Sequence, residues 1–440
     1  MQLTIGAGPL EVDASDGVIR ARGIPYGSAT RFDAAVPPTP WTTPRDATVP
    51  GPACPQRPGR LDFVTGPVLT GSTFDEDCLV LSVTAPRDAT GLPVMVWFHG
   101  GAYVAGGGES SKYDPTLLAA QGGVVVVTVT YRLGIFGYLA PPDADGADNV
   151  GLRDQILALR WVRDNAAAFG GDPANVTVFG QSAGGDSVIA LMLSDETEGL
   201  FRRAIVQSAP LGIASGSADV VEGRGRMSDA MRAAMARALA GEDPRAATPT
   251  RLLAAEGAAV LAARDFGLLG GMAFAPTLGL ASLPSASDLP ERIADAARRV
   301  ELLIGHTRDD ASPFVAMNPR VAALGRLKPL QRRVIRAATG PMTSRVFGRA
   351  VEAFVASWRS GGGRATTYRF DWAPHDAPFG ACHCMELPYL LGSPDAWSDA
   401  PMLGPTRRLD DHLGSRMRAL WSGFAREGVE SLPSSSLRLG

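Results

Sequence analysis

Gly180-Gln181-Ser182-Ala183-Gly184 stands between a β-branched run, Val176 to Phe179, and the Ala/Leu-rich segment Ala183 to Leu193. A serine on a tight strand-to-helix turn needs small neighbours, because its strained backbone draws the flanking turns together. Such an elbow lifts the hydroxyl to the amino end of a helix, where peptide N–H groups stabilise negative charge. Ser182 is therefore a candidate nucleophile. With 51 glycines the chain can match G-x-S-x-G by chance, and it is the strand before and helix after that give the motif weight. The motif alone leaves lipase, peptidase and thioesterase chemistry open.

A second Gly-rich segment supports this reading. Val94 to Phe98 reads as a strand running into His99-Gly100-Gly101-Ala102-Tyr103. Attack on an acyl carbonyl places negative charge on oxygen, and unhindered backbone N–H donors aimed there contribute about 2.7–4 kcal/mol each. The N–H groups of Gly101, Ala102 and Ala183 are the candidate donors. Without the elbow, an ordinary glycine turn would be the better reading.

The nucleophile needs a base, and five histidines compete: His99, His306, His375, His383 and His412. His99 opens the Gly-rich loop, where bracing the turn is its expected duty, and His412 falls in a terminal helical pattern. An isolated loop histidine is ordinarily a surface or structural residue, so residue type leaves the choice open. Chains built around this elbow run in the order Ser, Asp or Glu, then His. Leu302 to Ile304 followed by Asp309-Asp310 supplies a carboxylate pair just beyond a strand, downstream of Ser182.

Short apolar runs that alternate with segments of helical period provide the scaffold. The expected strands are Leu79 to Val83, Val94 to Phe98, Val124 to Tyr131, Val176 to Phe179, Ala204 to Val206, Leu302 to Ile304 and Thr367 to Phe370. Asp154 to Phe169 and Ala183 to Leu193 read as helices. The fold class is α/β, a mostly parallel sheet with helices on both faces, as one domain over residues 1–440. Leu3/Ile5 and Val18/Arg20/Arg22 flank the turn-like DASDG and suggest a hairpin. Helical insertions at about 219–298 and 325–360 are the expected cap over the site. Gly361-Gly362-Gly363 reads as a connector, and the Ser-rich end LPSSSLRLG as loosely ordered.

Composition bounds the remaining possibilities. The 42 Lys+Arg and 45 Asp+Glu residues nearly balance, at a formal charge of −3, and 45% of residues are apolar. This describes a core-forming globular protein. Lys112 and Lys328 are the only lysines, and the many arginines form no basic stripe that points to nucleic acid. The start MQLTIGAGPL lacks a charged, apolar leader, so the expected compartment is the cytoplasm. Phe266 to Ser287 is uncharged, but its glycines and prolines read as loops and short strands instead of a membrane span. Four cysteines are too few for a disulfide scaffold, and Cys382-His383-Cys384 lacks the second ligand pair of structural zinc sites.

Taken together, the motifs resemble the type-B carboxylesterase family, the cholinesterase and para-nitrobenzyl esterase group of α/β-hydrolases. The likeness runs from GIPYG at Gly23 through GPACPQ, EDCLVLSV, HGGAY, TYRLGIFGYL, NVGLRDQILALRWVRDNAAAFGGDP, the elbow and RRAIVQSA to GACHCMELPYLLG at Gly380. It implies the α/β-hydrolase fold and hydrolysis of carboxylic esters through an acyl-enzyme, with no metal or organic cofactor. Small aryl and alkyl esters are the expected substrates. It assigns the catalytic roles to Ser182, Asp310 and His383, leaves Asp309 as a solvated neighbour, and places Gln181, Ser208 and Gly100 around them. It also implies ion pairs Arg132–Asp172 and Arg31–Glu76, and a Cys54–Cys78 disulfide that a reducing compartment would keep as thiols. The chain departs from the family in carrying Gln181 where many relatives have Glu, which removes a negative charge near the site. It also has Asp310 in place of the usual Glu, and a short interval from Asp310 to His383. An amidase or carbamate hydrolase with the same triad, and a non-catalytic binding protein, are the alternative readings. Oligomeric state is not legible.

Overall fold

The computed structural model describes residues 1–141, 149–211 and 218–440. Two sheets account for its strands. A small one joins β1 (Gln2–Ile5), β2 (Gly8–Glu11) and β5 (Arg45–Asp46). The large one contains β3 (Asp13–Ser15), β4 (Val18–Pro25), β6 (Val80–Pro86), β7 (Leu92–Phe98), β8 (Val125–Val129), β9 (Gly171–Gln181), β10 (Arg203–Gln207), β11 (Glu301–Thr307), β12 (Ala365–Phe370) and β13 (Ser436–Leu439). Its spatial order is β13-β12-β11-β10-β9-β7-β8-β6-β4-β3. Every pair from β8 to β13 is parallel, and the pairs among β3, β4, β6 and β8 are antiparallel.

The middles of the central strands are largely apolar because both faces are covered. Along β7, Val94, Val96 and Phe98 enter one core with the helices Val150–Asn165, Ala183–Leu193 and Arg349–Ser360. Met95 and Trp97 point the other way, into a second core with Thr116–Gly122 and Asp411–Glu427. A third cluster packs the helices Ala218–Leu239 and Pro249–Ala263 against Tyr103, Tyr131, Ile135 and Phe136. Each fully buried Val or Phe contributes about 1.5–3 kcal/mol of transfer free energy.

All seven expected strands are present, most of them extended by one to several residues. Three local expectations are corrected. Leu3 and Ile5 pair with β2, and the DASDG hairpin instead joins β3 to β4. The Ser-rich end is ordered: Leu437 and Leu439 are buried and β13 closes the sheet beside β12. The stretch Phe266 to Ser287 forms turns and a short 3-10 helix, Leu269–Met272, with no strand. No helix among the described residues is long and apolar enough to cross a membrane.

Candidate active site

Ser182 follows β9 directly with φ 58° and ψ −123°, a conformation that L-residues rarely adopt. The turn is pinned on both sides: the Ser182 N–H donates to the Gln207 carbonyl at 2.8 Å, and the Asp186 N–H donates to the Ser182 carbonyl at 2.9 Å. The flanking glycines are required by space. A methyl group on Gly180 would lie 2.4 Å from the Gly184 carbonyl oxygen, and one on Gly184 would lie 2.0 Å from that of Phe98. The elbow is thus wedged against the end of β7, where the Gly-rich loop begins.

That loop turns back on itself through Gly101 (φ 116°), Ala102 (φ 56°) and Tyr103 (φ 60°). A side chain at Gly101 would strike the Ala105 carbonyl, and one at Gly100 would sit 3.1 Å from Ser182 Cβ. His99 braces the base of the loop as expected. Its Nδ1–H donates to the Gly100 carbonyl at 2.8 Å, its ring stacks on Tyr131 at 4.5 Å, and burial lowers its pKa to about 4. Gln56 clamps the far end, accepting from Gly106 N–H at 2.6 Å and donating to the Gly106 carbonyl at 2.8 Å. The Tyr103 hydroxyl donates to Asp186 at 2.9 Å, tying the loop to the helix that follows Ser182. Among the described residues no hydrogen bond uses the N–H of Gly101, Ala102 or Ala183. These three donors are free to receive a developing oxyanion.

On the other side of Ser182, Asp310 and His383 meet at 2.5 Å between Oδ1 and Nδ1, and both are essentially fully buried. A carboxylate only accepts, so Nδ1 carries the proton and Nε2 keeps its lone pair. The second oxygen of Asp310 accepts from Ser208 Oγ at 2.7 Å and from the Thr307 N–H at 3.0 Å. Asp310 is therefore held at the end of β11, with Ser208 reaching it from the end of β10. His383 lies beyond β12, with the rings of Phe314 and Phe347 centred 5.0 and 5.8 Å from its own. Its Nε2 faces the Gln181 side-chain amide at 3.1 Å, and no hydrogen bond joins it to Ser182 Oγ. Catalytic hydrogen bonds often tighten only when substrate arrives.

Asp309 does more than stand in solvent. It accepts from the Ala381 N–H at 2.9 Å while its own N–H donates to the Ala381 carbonyl at 2.8 Å, so it fastens the loop that carries His383.

Ser182, Gln181, Gly100, Gly101, Ala102 and His383 all line one cavity of about 500 Å³. Its outer wall comes from residues 56–74 and Phe314, whereas no described residue of 219–298 or 325–360 lines it. The first helical insertion instead encloses a separate apolar cavity behind the helix Ala183–Leu193. The expected cap thus lies beside the site: the second insertion also lines that separate cavity, and it sets the Phe347 ring 5.8 Å from that of His383. Residues 56–74 escape sequence reading because Pro- and Gly-rich loops carry no periodic signal.

The sequence profile described as the carboxylesterase family matches residues 10–331. A probable N-octanoylanthranilate hydrolase of Rhodococcus erythropolis is 38% identical, over 96% of this chain and 94% of its own length. The para-nitrobenzyl esterase of Bacillus subtilis is 36% identical, over 98% and 90%. Among solved structures, a thermophilic PNB esterase superposes with a TM-score of 0.79 at 34% identity, covering 97% of this chain and 91% of that one. The chain belongs to the carboxylesterase family.

The fold of this esterase is accordingly the α/β-hydrolase fold, and its activity is the hydrolysis of carboxylic esters. Two of the supporting contacts suggested by the family resemblance resolve differently here. Arg132 grips Asp154 through both carboxylate oxygens, at 2.6 and 2.8 Å, while Asp172 turns back to the Ala174 N–H at 2.9 Å. Cys54 and Cys78 are buried free thiols in contact with one another, not a disulfide. The pair Arg31–Glu76 forms as expected, with Arg31 Nε donating to Glu76 at 2.8 Å.

Proposed function

We propose that this esterase works through Ser182 as nucleophile, His383 as general base and then general acid, and Asp310 as the group that fixes the imidazole tautomer. His383 takes the hydroxyl proton as Ser182 attacks the ester carbonyl, and the N–H groups of Gly101, Ala102 and Ala183 stabilise the tetrahedral oxyanion. The protonated imidazole then delivers its proton to the leaving alcohol. Water repeats the cycle on the acyl-enzyme and releases the acid.

The observation that carries this reading is the buried Asp310–His383 contact at 2.5 Å, in a cavity shared with an elbow serine and three free N–H donors. Small aryl and alkyl esters suit a cavity of about 500 Å³ with largely apolar walls. Amide cleavage is the second reading, favoured by the relative named for an N-octanoyl substrate. Comparing para-nitrophenyl acetate and butyrate with matched anilides separates the two. Labelling by an organophosphonate probe tests the nucleophile: the parent protein labels and Ser182→Ala does not, and equal labelling of both would remove Ser182 from the role.

A further inference from the structure

Several arginines of this chain meet carboxylates, among them Arg31 with Glu76, Arg132 with Asp154 and Arg369 with Asp371. Arg57 and Arg60 form no ion pair among the described residues, yet both line the cavity that holds Ser182 and His383. Arg57 is positioned from behind, its Nε donating to the Leu253 carbonyl at 3.1 Å and its guanidinium lying against Gly257. Both Arg57 and Arg60 are exposed, and the protein packed around Arg60 still desolvates it enough to lower its pKa.

The acids nearby do not neutralise this pair. Among the described residues Asp62 is the only acid lining the cavity, and the cation acting on it is Lys112, which is itself bound to Asp399 and to the Thr65 carbonyl. Glu256 feels the charge of Arg57, but its carboxyl is committed to the Ile135 N–H at 3.0 Å, and burial raises its pKa to about 7. Two guanidinium groups therefore line a mostly apolar cavity, and no salt bridge holds either of them among the described residues. Guanidinium is the side chain best shaped to receive a carboxylate.

We propose that Arg57 and Arg60 form a carboxylate-recognition subsite on the solvent side of the active-site cavity, so that esters bearing a free carboxylate are the preferred substrates. This rests on the serine esterase reading above. The neutral remainder of such a substrate lies along the apolar walls, with its ester carbonyl at Ser182. Its charge is held away from the reacting centre, where it would oppose the oxyanion.

The test uses two series of anionic esters, each with a neutral carboxamide-terminated counterpart of equal length. Para-nitrophenyl hemiesters of succinic to suberic acid carry the carboxylate on the acyl side, and acetyl esters of ω-hydroxy acids carry it on the alcohol side. At low salt, kcat/KM for the anionic member of at least one series exceeds its counterpart by about 10- to 100-fold, mostly through KM. The advantage peaks at one chain length and shrinks as ionic strength rises. In Arg60→Gln and Arg57→Gln the ratio collapses toward one, and in Arg60→Glu it falls below one. Equal rates for both members of both series, with the neutral esters hydrolysed and Ser182 labelled, would overturn the subsite and leave the esterase reading standing. Failure to hydrolyse any of them, with no labelling, would overturn both.

Discussion

Gln181 and His383 face each other through two nitrogens, the glutamine amide lying 3.1 Å from the Nε2 that accepts the serine proton in the proposed mechanism. With Nδ1–H committed to Asp310, the amide donates to Nε2 and occupies the position that Ser182 Oγ requires. Gln181→Glu would place an anion there, which favours the charged imidazole. The acid limb of the kcat/KM profile for para-nitrophenyl acetate is expected to move to higher pH. An unmoved limb would show that a charge at position 181 does not act on the imidazole in the free enzyme.

Asp310 is held by two donors besides His383, and their removal should be graded. Asp310→Asn presents the wrong partner to Nδ1 and is expected to lower kcat by about 10⁴-fold. Ser208→Ala removes only the 2.7 Å donor and should cost about 10- to 100-fold, the equivalent of one lost bond to a buried charge. Steady-state kinetics on both variants checks the order. A Ser208→Ala enzyme with parent kcat would mean that Thr307 alone positions the carboxylate.

Asp309 fastens the histidine loop through the Ala381 N–H. Asp309→Ala should reduce kcat about tenfold, the cost of roughly one hydrogen bond at the site, and lower Tm by a few degrees. Asp309→Asn retains an acceptor oxygen and should restore most of the activity. If the Asn variant is as impaired as the Ala variant, the charge paired with Arg308 matters more than the tether.

Glu386 is fully buried near Asp310, and burial, reinforced by that neighbouring charge, raises its pKa to about 8. The folded state therefore binds this proton more tightly than the unfolded chain does. Its contribution to stability is complete below pH 4.5, declines as pH rises, and is lost through about pH 8. Urea unfolding from pH 5 to 9 should show Glu386→Gln losing stability less steeply than the parent, by up to about 1.4 kcal/mol per pH unit in that window. Parallel slopes would mean that Glu386 titrates normally. Glu109 and Glu256, both raised by burial to about 7, keep a decline of the same sign in the variant.

The elbow and the central strands are legible in the sequence because each depends on neighbours along the chain: apolar runs, β-branching and two glycines four apart. Helix Ala183–Leu193 is found at its expected bounds for that reason. The partner of Arg132 is not legible, since Asp154 and Asp172 both lie well downstream in sequence and only packing decides between them. β13 is hidden because an edge strand of four residues needs only two buried side chains, Leu437 and Leu439, within a polar stretch. The tether from Asp309 ends on a backbone N–H, which almost any residue type at position 381 would offer.

The groups around the cavity hang from the same ends of neighbouring strands: Gly100 after β7, Ser182 after β9, Ser208 after β10, Asp310 after β11 and His383 after β12. Parallel pairing brings those ends to one rim, so their spacing is inherited from the hydrogen-bonded ladder, whereas residues 57–74, past the Gln56 clamp, lean over it. Chemistry and selectivity are thereby mechanically uncoupled. That overhanging stretch can be rebuilt, lengthened or replaced to admit different molecules, and the alignment of the reacting atoms would survive the exchange.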